Sequence, residues 1–286
     1  MTTTTPDTHE TAARLVVKPQ LETTAKTPAA RRWSGLNWRG YAFFAGCVVL
    51  VEILARLGLL TSYVPPPSLI FIALWKGLVN GDISSQVGVT LSVYAVGLAL
   101  AAGLAVGVGI LMGAYKPVFN ALKIVVEFLR PIPSVAMIPL AILFFGLGPE
   151  MRITIIAYAA FWPVLVNTIY GVTAIDPLAL DVARNFGISG KEALWRVVLP
   201  SALSSIATGF RVSASIALVV TITTGLIAGN SGIGLYISQM EQANRLPPMY
   251  AGILLTGTLG YLFNVLYITL EHRLVFWTPA ARTQPA

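Results

Sequence analysis

The sequence predicts an all-α, polytopic membrane protein with about six transmembrane helices, and three observations support this prediction. Hydrophobic residues make up 56% of the 286 residues and charged residues only 11%, whereas a soluble domain has about 25% charged residues. Mean hydropathy is correspondingly high, at +0.75. Apolar stretches recur along the chain, most of them long enough for an α-helix to cross a bilayer.

The predicted spans differ in how regular they are. The first contains Glu52 and Arg56, whose spacing of four residues predicts a structural ion pair rather than a proton relay. The third is short and is interrupted by Pro133 and Pro139. The six spans lie at about 41–60, 90–113, 132–147, 153–172, 207–228 and 249–270.

The two ends of the chain differ in composition from the spans. Residues 1–40 are rich in Thr, Ala, Pro and basic residues and have no apolar period, which predicts a disordered cytoplasmic tail. No signal peptide is expected, because the first apolar run begins only at Tyr41. The predicted transmembrane domain is 41–277, and 278–286 form a second cytoplasmic tail.

The distribution of lysine and arginine predicts the orientation. If both termini are cytoplasmic, fourteen of these residues lie inside and three lie outside, namely Lys76, Arg152 and Arg245. Without the long tail the ratio is still eight to three. The net charge of +7 therefore indicates contact with anionic lipid rather than nucleic acid.

A charged segment at 176–200 separates the fourth and fifth spans. Asp176 followed by proline predicts a helix start, and Gly187 a helix stop. Ser189 with Glu192 forms a capping box for a second helix, which Pro200 closes. Both helices are too short to cross a bilayer, so we expect a bent pair at the membrane surface.

The same segment resembles the EAA signature of importer-type ABC permeases. The pattern has an acidic residue, two small residues, a glycine and a final Leu-Pro at fixed spacing. This chain departs from it by Asp in place of Glu and Val in place of the first Ala. The matching positions are Asp181, Val182, Ala183, Gly187, Val197, Leu199 and Pro200.

The resemblance extends over roughly 63–277 and points to the sulfonate, nitrate and taurine group. It includes the stretches VPPPSLIFIALW, FLRPIPSVAMIPLAILFFGLG and ITTGLIAGNSGIGLYI. It implies the type I ABC importer permease fold, a permease homodimer, separate ATPase subunits, an extracytoplasmic solute-binding protein and no cofactor. The residues expected to couple to the ATPase are Asp181, Ala183, Gly187, Ser189, Glu192, Leu199 and Pro200.

Small and hydroxylic residues mark a candidate translocation path. Ser213, Thr221 and Thr224 share one narrow face of the fifth span. That face either lines a polar path or returns its hydroxyls to the backbone and packs on a neighbour. Tyr158, Trp162 and Asn167 in the fourth span are further candidates.

Two other features allow both a structural and a functional interpretation. The pairs Gly103–Gly107 and Gly109–Gly113 predict close helix packing within the subunit, with a dimer contact as the alternative. The apolar run after Pro65–Ser68 predicts an interfacial helix with Ser68 as its N-cap, and a short helix should follow Gly232.

No pattern typical of an enzyme or a metal site is present in the sequence. There are two histidines, His9 and His272, one cysteine, Cys47, and no GxxxxGK[ST] loop. A transporter without a nucleotide site needs a separate ATPase. An ion-gradient-driven transporter and a membrane enzyme or scaffold are the alternatives. The family suggests a small anion such as a sulfonate, taurine or nitrate as the substrate.

Overall fold

The computed structural model describes residues 38–188 and 190–275, and these residues form helices and loops without a strand. The tails predicted at 1–40 and 278–286 lie almost entirely or entirely outside these ranges. The helices, in chain order, are α1 Trp38–Arg56, α2 Pro67–Val79, α3 Asp82–Ala114, α4 Lys116–Leu129, α5 Ile138–Phe145, α6 Pro149–Thr173, α7 Pro177–Asn185, α8 Lys191–Ala193, α9 Leu199–Ala228, α10 Ile233–Gln242 and α11 Leu246–Leu274.

Five helices in the described ranges are long and apolar enough to cross a membrane. They are α1, α3, α6, the continuous helix Lys191–Ala228, and α11. Each contains most or all of one predicted span, so hydropathy located five of the six spans correctly. Several helices extend well beyond the apolar stretch, since α3 begins at Asp82 and is 33 residues long.

The third predicted span was wrong in its form. The residues at 132–147 do not make one straight helix. They form a 3₁₀ turn, Ser134–Met137, and the eight-residue helix α5, bent by 87° from the preceding α4. Pro131 and Pro133 lie at the break, where their missing N–H groups prevent α4 from continuing. Only α4 and α5 together have the length of a span, so residues 116–129 are helix rather than loop.

Helix α6 packs between α3 and α9. Glycines on α3 allow α3 and α6 to approach each other closely. A Cβ added at Gly109 would lie 2.7 Å from Thr168 Cβ, and one at Gly113 would lie 2.7 Å from Val172 Cβ. The Gly109–Gly113 pair therefore packs within the chain, as predicted. A Cβ at Gly103 or Gly107 would meet no atom within 4 Å, so that pair faces away from α6.

The predicted ion pair in the first span is confirmed. The guanidinium of Arg56 lies 2.6 Å from the carboxylate of Glu52. The same carboxylate accepts hydrogen bonds from the backbone N–H of Ser68 at 2.9 Å and from its hydroxyl at 2.8 Å. Ser68 is therefore not the N-cap of α2, because the helix begins at Pro67 and Glu52 satisfies its first free donors instead.

Candidate docking segment and translocation path

The first half of the 176–200 segment forms the helix that its caps predict. The Asp176 carboxylate accepts a hydrogen bond from the backbone N–H of Leu178 at 2.9 Å, and α7 begins at Pro177. The helix ends before Gly187, which has a φ of +79°. Ala183 is the buried residue of α7. The segment therefore has a fixed helical start and a glycine stop.

The second half of the segment differs from the prediction. Ser189, the predicted N-cap, lies outside the described residues, and Glu192 forms an ion pair with Arg196 at 3.2 Å. Pro200 does not close the segment, because Lys191–Ala228 is one continuous helix. A π-helical turn, Leu194–Val198, precedes Leu199, whose N–H bonds to the Leu194 carbonyl. This wider turn accommodates the missing N–H and the ring of the proline.

Helix α7 exposes its apolar side. Leu178, Val182 and Phe186 recur every fourth residue and are all exposed, with Phe186 at 80%. Asp181 and Arg184 form an exposed ion pair beside them, at 3.0 Å. The three residues form one exposed apolar stripe along the helix, which is too short to cross a bilayer. Such a stripe is typical of a surface that another protein covers.

The polar face predicted on α9 is packed inside the chain. Ser213, Thr221 and Thr224 are fully buried. The Ser213 hydroxyl donates to the Ala160 carbonyl of α6, Thr221 donates to Ala217 at 2.7 Å, and Thr224 donates to the Thr221 carbonyl at 3.1 Å. The face therefore lines no open path in this structure, and the packing alternative describes it.

Two of the three candidate residues on α6 hydrogen-bond within the chain, while the buried indole N–H of Trp162 has no partner in the described residues. The Tyr158 hydroxyl donates to the Leu129 carbonyl at 2.6 Å, and its ring contacts Trp162 edge to face. The Asn167 amide donates to the Pro163 carbonyl at 2.8 Å. At this point α6 and α9 are very close, since a Cβ added at Gly209 would lie 2.6 Å from Asn167 Cβ.

A groove lies between α9 and α11, on the side of α9 that faces away from α6. Its volume is about 480 Å³, and its polar lining residues are Ser215, Thr223, Thr256, Asn264 and Tyr267. Ser215 and Thr223 each follow a buried polar residue by two positions, which is a rotation of about 200° around a helix. The sequence contains this second polar stripe, which is less regular than the first one.

An ion pair connects α9 and α11 one turn beyond the groove. The guanidinium of Arg211 lies 3.0 Å from the carboxylate of Glu271, and the two side chains are 37% and 23% exposed. The hydroxyl of Thr208 donates to the same carboxylate at 3.1 Å. The sequence gives no sign of this contact, because the two residues are sixty positions apart.

Arg152 is buried at the end of the helices opposite α7, although the charge count placed it in an outside loop. Its residue is 1% exposed. It donates to the Ser231 carbonyl at 2.9 Å and to the Thr221 carbonyl at 3.5 Å, while its Nε has no partner. The arginine thereby joins α6 to the end of α9 and to the turn before α10. A cation is favourable there, near a helix C-terminus.

A larger polar pocket lies near the same end, between α2, α3, α10 and the start of α11. Its volume is about 810 Å³, and Lys76, Asp82, Gln86, Tyr236 and Arg245 line it. Burial raises the pKa of Tyr236 above its ordinary value, so this hydroxyl stays neutral. The described ranges contain no cluster of His, Cys, Asp or Glu that could hold a metal ion.

The family comparison agrees with this arrangement of spans and segments. Residues 103–276 match the family described as binding-protein-dependent transport system inner membrane component. The chain belongs to this family. It is a multi-pass membrane protein and a permease subunit of an ABC importer. Membership sets aside the ion-gradient-driven transporter and the membrane enzyme or scaffold.

Within this family, the chain is similar to permeases named for sulfur-containing anions. The chain is 29% identical to the aliphatic sulfonates transport permease protein SsuC of Bacillus subtilis, over 93% of this chain and 96% of SsuC. It is 28% identical to the taurine transport system permease protein TauC of Escherichia coli, over 75% and 80%. These relatives are named as permeases and not as enzymes.

The fold also matches a solved structure. An inward-facing structure of the MetNI methionine ABC transporter has a TM-score of 0.58 at 18% identity, covering 67% of this chain and 95% of that chain. At this identity the similarity shows the fold alone. The type I importer permease fold expected from the sequence is therefore confirmed.

Proposed function

We propose that two copies of this chain form the translocation path of an ABC importer for a small organic anion with a sulfonate group. An ATPase subunit docks on α7 of each copy, and a solute-binding protein delivers the anion at the opposite end. The exposed apolar face of α7 is the observation that carries the proposal. It gives a membrane protein without a P-loop a surface on which a separate motor can act.

The docking surface is defined by Leu178, Val182 and Phe186. Burying one such side chain stabilises a contact by about 1.5–3 kcal/mol, and all three are exposed in the single chain. Asp181 lies beside them and supplies a polar residue at the rim of the interface. Arg184 follows Val182 by two positions, which places it about 200° further around α7, away from this surface.

The rest of the segment transmits movement from this surface. Gly187 ends α7, and Glu192, Leu199 and Pro200 belong to the continuous helix that leads into α9. A push on α7 therefore reaches both α6 and α9 through short connections. ATP-driven closure of the ATPase pair rocks these helices between inward-facing and outward-facing states.

The substrate class rests on the relatives. SsuC is named for aliphatic sulfonates and TauC for taurine, and taurine itself contains a sulfonate group. A compact anion of this kind is the chemistry that the two names share. Specificity is divided between the solute-binding protein and the permease path.

The orientation follows from charge. The short connections on the side of α7 carry Arg184, Lys191 and Arg196, and an excess of such residues favours the cytoplasm. Both termini of the chain are then cytoplasmic, since six crossings separate them when α4 and α5 count as one. With this orientation, α7 lies on the side of the membrane where ATP is available.

Co-purification with the ATPase subunit tests the proposal. We expect Phe186→Asp to weaken retention of the ATPase at least about tenfold, because it places a charge in the centre of an apolar contact. Arg184→Ala, an exposed change on the polar side of the same helix, is the matched control and should retain the subunit. Equal retention by both variants would show that α7 is not the docking surface.

A further inference from the structure

The polar pocket between α2, α3, α10 and the start of α11 is lined by charges of both signs that do not pair with each other. Lys76 and Arg245 are the cations, and Asp82 supplies a carboxylate. None of the three side chains forms an ion pair or a hydrogen bond with another residue that the structure describes. All three residues are exposed, so their charged groups are available to a molecule that enters the pocket.

Two uncharged groups add donors to the same pocket. The side-chain oxygen of Gln86 accepts a hydrogen bond from the backbone N–H of Gly232 at 2.6 Å, and its amide NH₂ has no partner in the described ranges. The hydroxyl of Tyr236 also bonds to none of the described residues. Burial raises the pKa of this hydroxyl, while Arg245 lowers it and Asp82 raises it, so both charges lie near the hydroxyl.

The pocket is preformed, because the helices around it are held together by close contacts. Only Asn80–Gly81 joins α2 to α3. The backbone N–H of Ile233 donates to the Thr90 hydroxyl of α3 at 2.9 Å. A Cβ added at Gly252 of α11 would lie 2.7 Å from Ile237 Cγ1 of α10. The enclosed volume of about 810 Å³ lies in the range of small-molecule sites.

The charges in the pocket favour a zwitterion over a simple ion. Two cations, an amide and a hydroxyl supply more donors than the two oxygens of a carboxylate need, which favours an oxyanion of sulfur or phosphorus. Asp82 repels such an oxyanion but attracts an ammonium group on the same molecule. A molecule that carries both groups therefore satisfies all the charges of the pocket.

One wall of the pocket also suits a lipid. Leu69 and Ile72 of α2 line it and are 45% and 50% exposed. Helix α2 has 13 residues, too few to cross a bilayer, and its apolar side chains fit a position at the membrane interface. A phospholipid headgroup in the pocket can keep its acyl chains along these side chains, as in other basic pockets at helix ends.

We propose that this pocket binds a molecule with a primary ammonium and a phosphate or sulfonate oxyanion. Lys76 and Arg245 bind the oxyanion, and Asp82 binds the ammonium. Two sources share this chemistry, namely the headgroup of phosphatidylethanolamine and free taurine. The inference goes beyond the proposed function and does not depend on it, because binding to groups of one chain requires neither a second copy nor an ATPase.

Lipid retention tests the first source. The full-length protein is reconstituted in vesicles of equal phosphatidylethanolamine and phosphatidylglycerol, extracted again in mild detergent, and its bound lipid is measured by mass spectrometry. Phosphatidylethanolamine should be retained about fivefold over phosphatidylglycerol, as one exposed charge pair allows. Asp82→Asn should return the ratio to that of the vesicles. Glu241→Gln removes an exposed carboxylate of α10 that does not line the pocket, and this matched control should keep the preference.

Equilibrium dialysis with tritiated taurine tests the second source. The protein is reconstituted in phosphatidylglycerol alone, without a solute-binding protein. Taurine should bind more tightly than the competitor ethanesulfonate, which lacks the ammonium, and Asp82→Asn should remove this difference. Lys76→Gln and Arg245→Gln should each weaken taurine binding about fivefold. The substituted residues are exposed, so the variants should extract in normal yield.

The two arms together decide the proposal. A preference for the ammonium-bearing molecule that Asp82→Asn removes and Glu241→Gln keeps supports it, and the arm that shows the preference identifies lipid or free solute as the source. Absence of both preferences, or equal loss in the two variants, overturns it. If Lys76→Gln and Arg245→Gln instead lose only the solute-binding protein, the pocket accepts a protein side chain and the proposal is also overturned. ATP-driven uptake in the same samples would leave the proposed function intact.

Discussion

The two sides of α9 carry the same kinds of residue in opposite surroundings. All four hydroxyls donate to backbone carbonyls. Ser213 and Thr221 are fully buried, whereas Ser215 and Thr223 line the groove beside α11. A hydroxyl in a membrane span can therefore be enclosed by packing or accessible at a groove. The neighbouring helix decides between these roles, since residue type and spacing are similar on both sides.

The buried side should tolerate no added volume, and this is the largest effect that we expect. A Cβ at Gly209 would lie 2.6 Å from Asn167 Cβ and 2.9 Å from the Pro163 carbonyl. Gly209→Leu should therefore cost about 3 kcal/mol or more, or prevent folding. The yield of monodisperse protein after detergent extraction measures it. Gly103→Leu, where a Cβ meets nothing within 4 Å, is the control and should extract normally.

Arg152 should show the next largest effect. Arg152→Gln removes the guanidinium that donates to the Ser231 carbonyl, and leaving such an acceptor unpaired costs about 1–3 kcal/mol. Thermal unfolding followed by tryptophan fluorescence measures the change. Arg245→Gln, an exposed arginine near the same end, should leave the midpoint nearly unchanged. Equal midpoints for the two variants would show that the contacts of Arg152 contribute little.

Gly187 in the docking segment should be less tolerant of substitution than a glycine within a regular helix, because of its backbone conformation. Gly187 has a φ of +79° and open space around its Cα, so Gly187→Ala should cost about 1–2 kcal/mol through strain alone. We expect the larger Gly187→Arg to reduce ATPase retention as well, while the spans still insert. Gly88→Ala, at an open position within α3, should be neutral or slightly stabilising. Normal uptake by Gly187→Arg would argue against a coupling role.

The smallest effect compares single hydroxyls on the two sides of α9. Ser213→Ala leaves the Ala160 carbonyl without its donor in a buried position, and a hydrogen bond between membrane helices contributes about 0.6 kcal/mol. Ser215→Ala should leave unfolding unchanged, because this hydroxyl is exposed and its contact with the Arg211 carbonyl is long, at 3.4 Å. Unfolding in graded SDS measures the stability of both variants. A larger loss of stability in Ser215→Ala than in Ser213→Ala would reverse the assignment of the two sides of α9.

The sequence was sufficient for features that depend on local chemistry. Hydropathy located five spans, Asp176 and Gly187 defined α7, and the spacing of Glu52 and Arg56 predicted their ion pair. Features that depend on distant contacts were not predictable in this way. Arg211 and Glu271 meet across two helices, and Arg152 is buried only because the turn before α10 folds over it.

The sequence also did not predict where prolines break a helix, because that depends on the turn around each proline. Pro131 and Pro133 break the third span, as the missing N–H groups would suggest. Pro200 instead lies within a continuous helix, since the π-helical turn at Leu194–Val198 gives it room. The segment therefore holds one short helix and the start of a long one, rather than two short helices.

The central claim is that ATP hydrolysis on a partner subunit drives transport through α7. Uptake of a radiolabelled alkanesulfonate into proteoliposomes with the reconstituted complex tests it most directly. We expect uptake to require ATP and the solute-binding protein, and to be lost when Leu178 and Phe186 are both changed to Asp, while Arg184→Ala retains it. Uptake that proceeds without the ATPase subunit and disappears when an ion gradient is collapsed would contradict the claim.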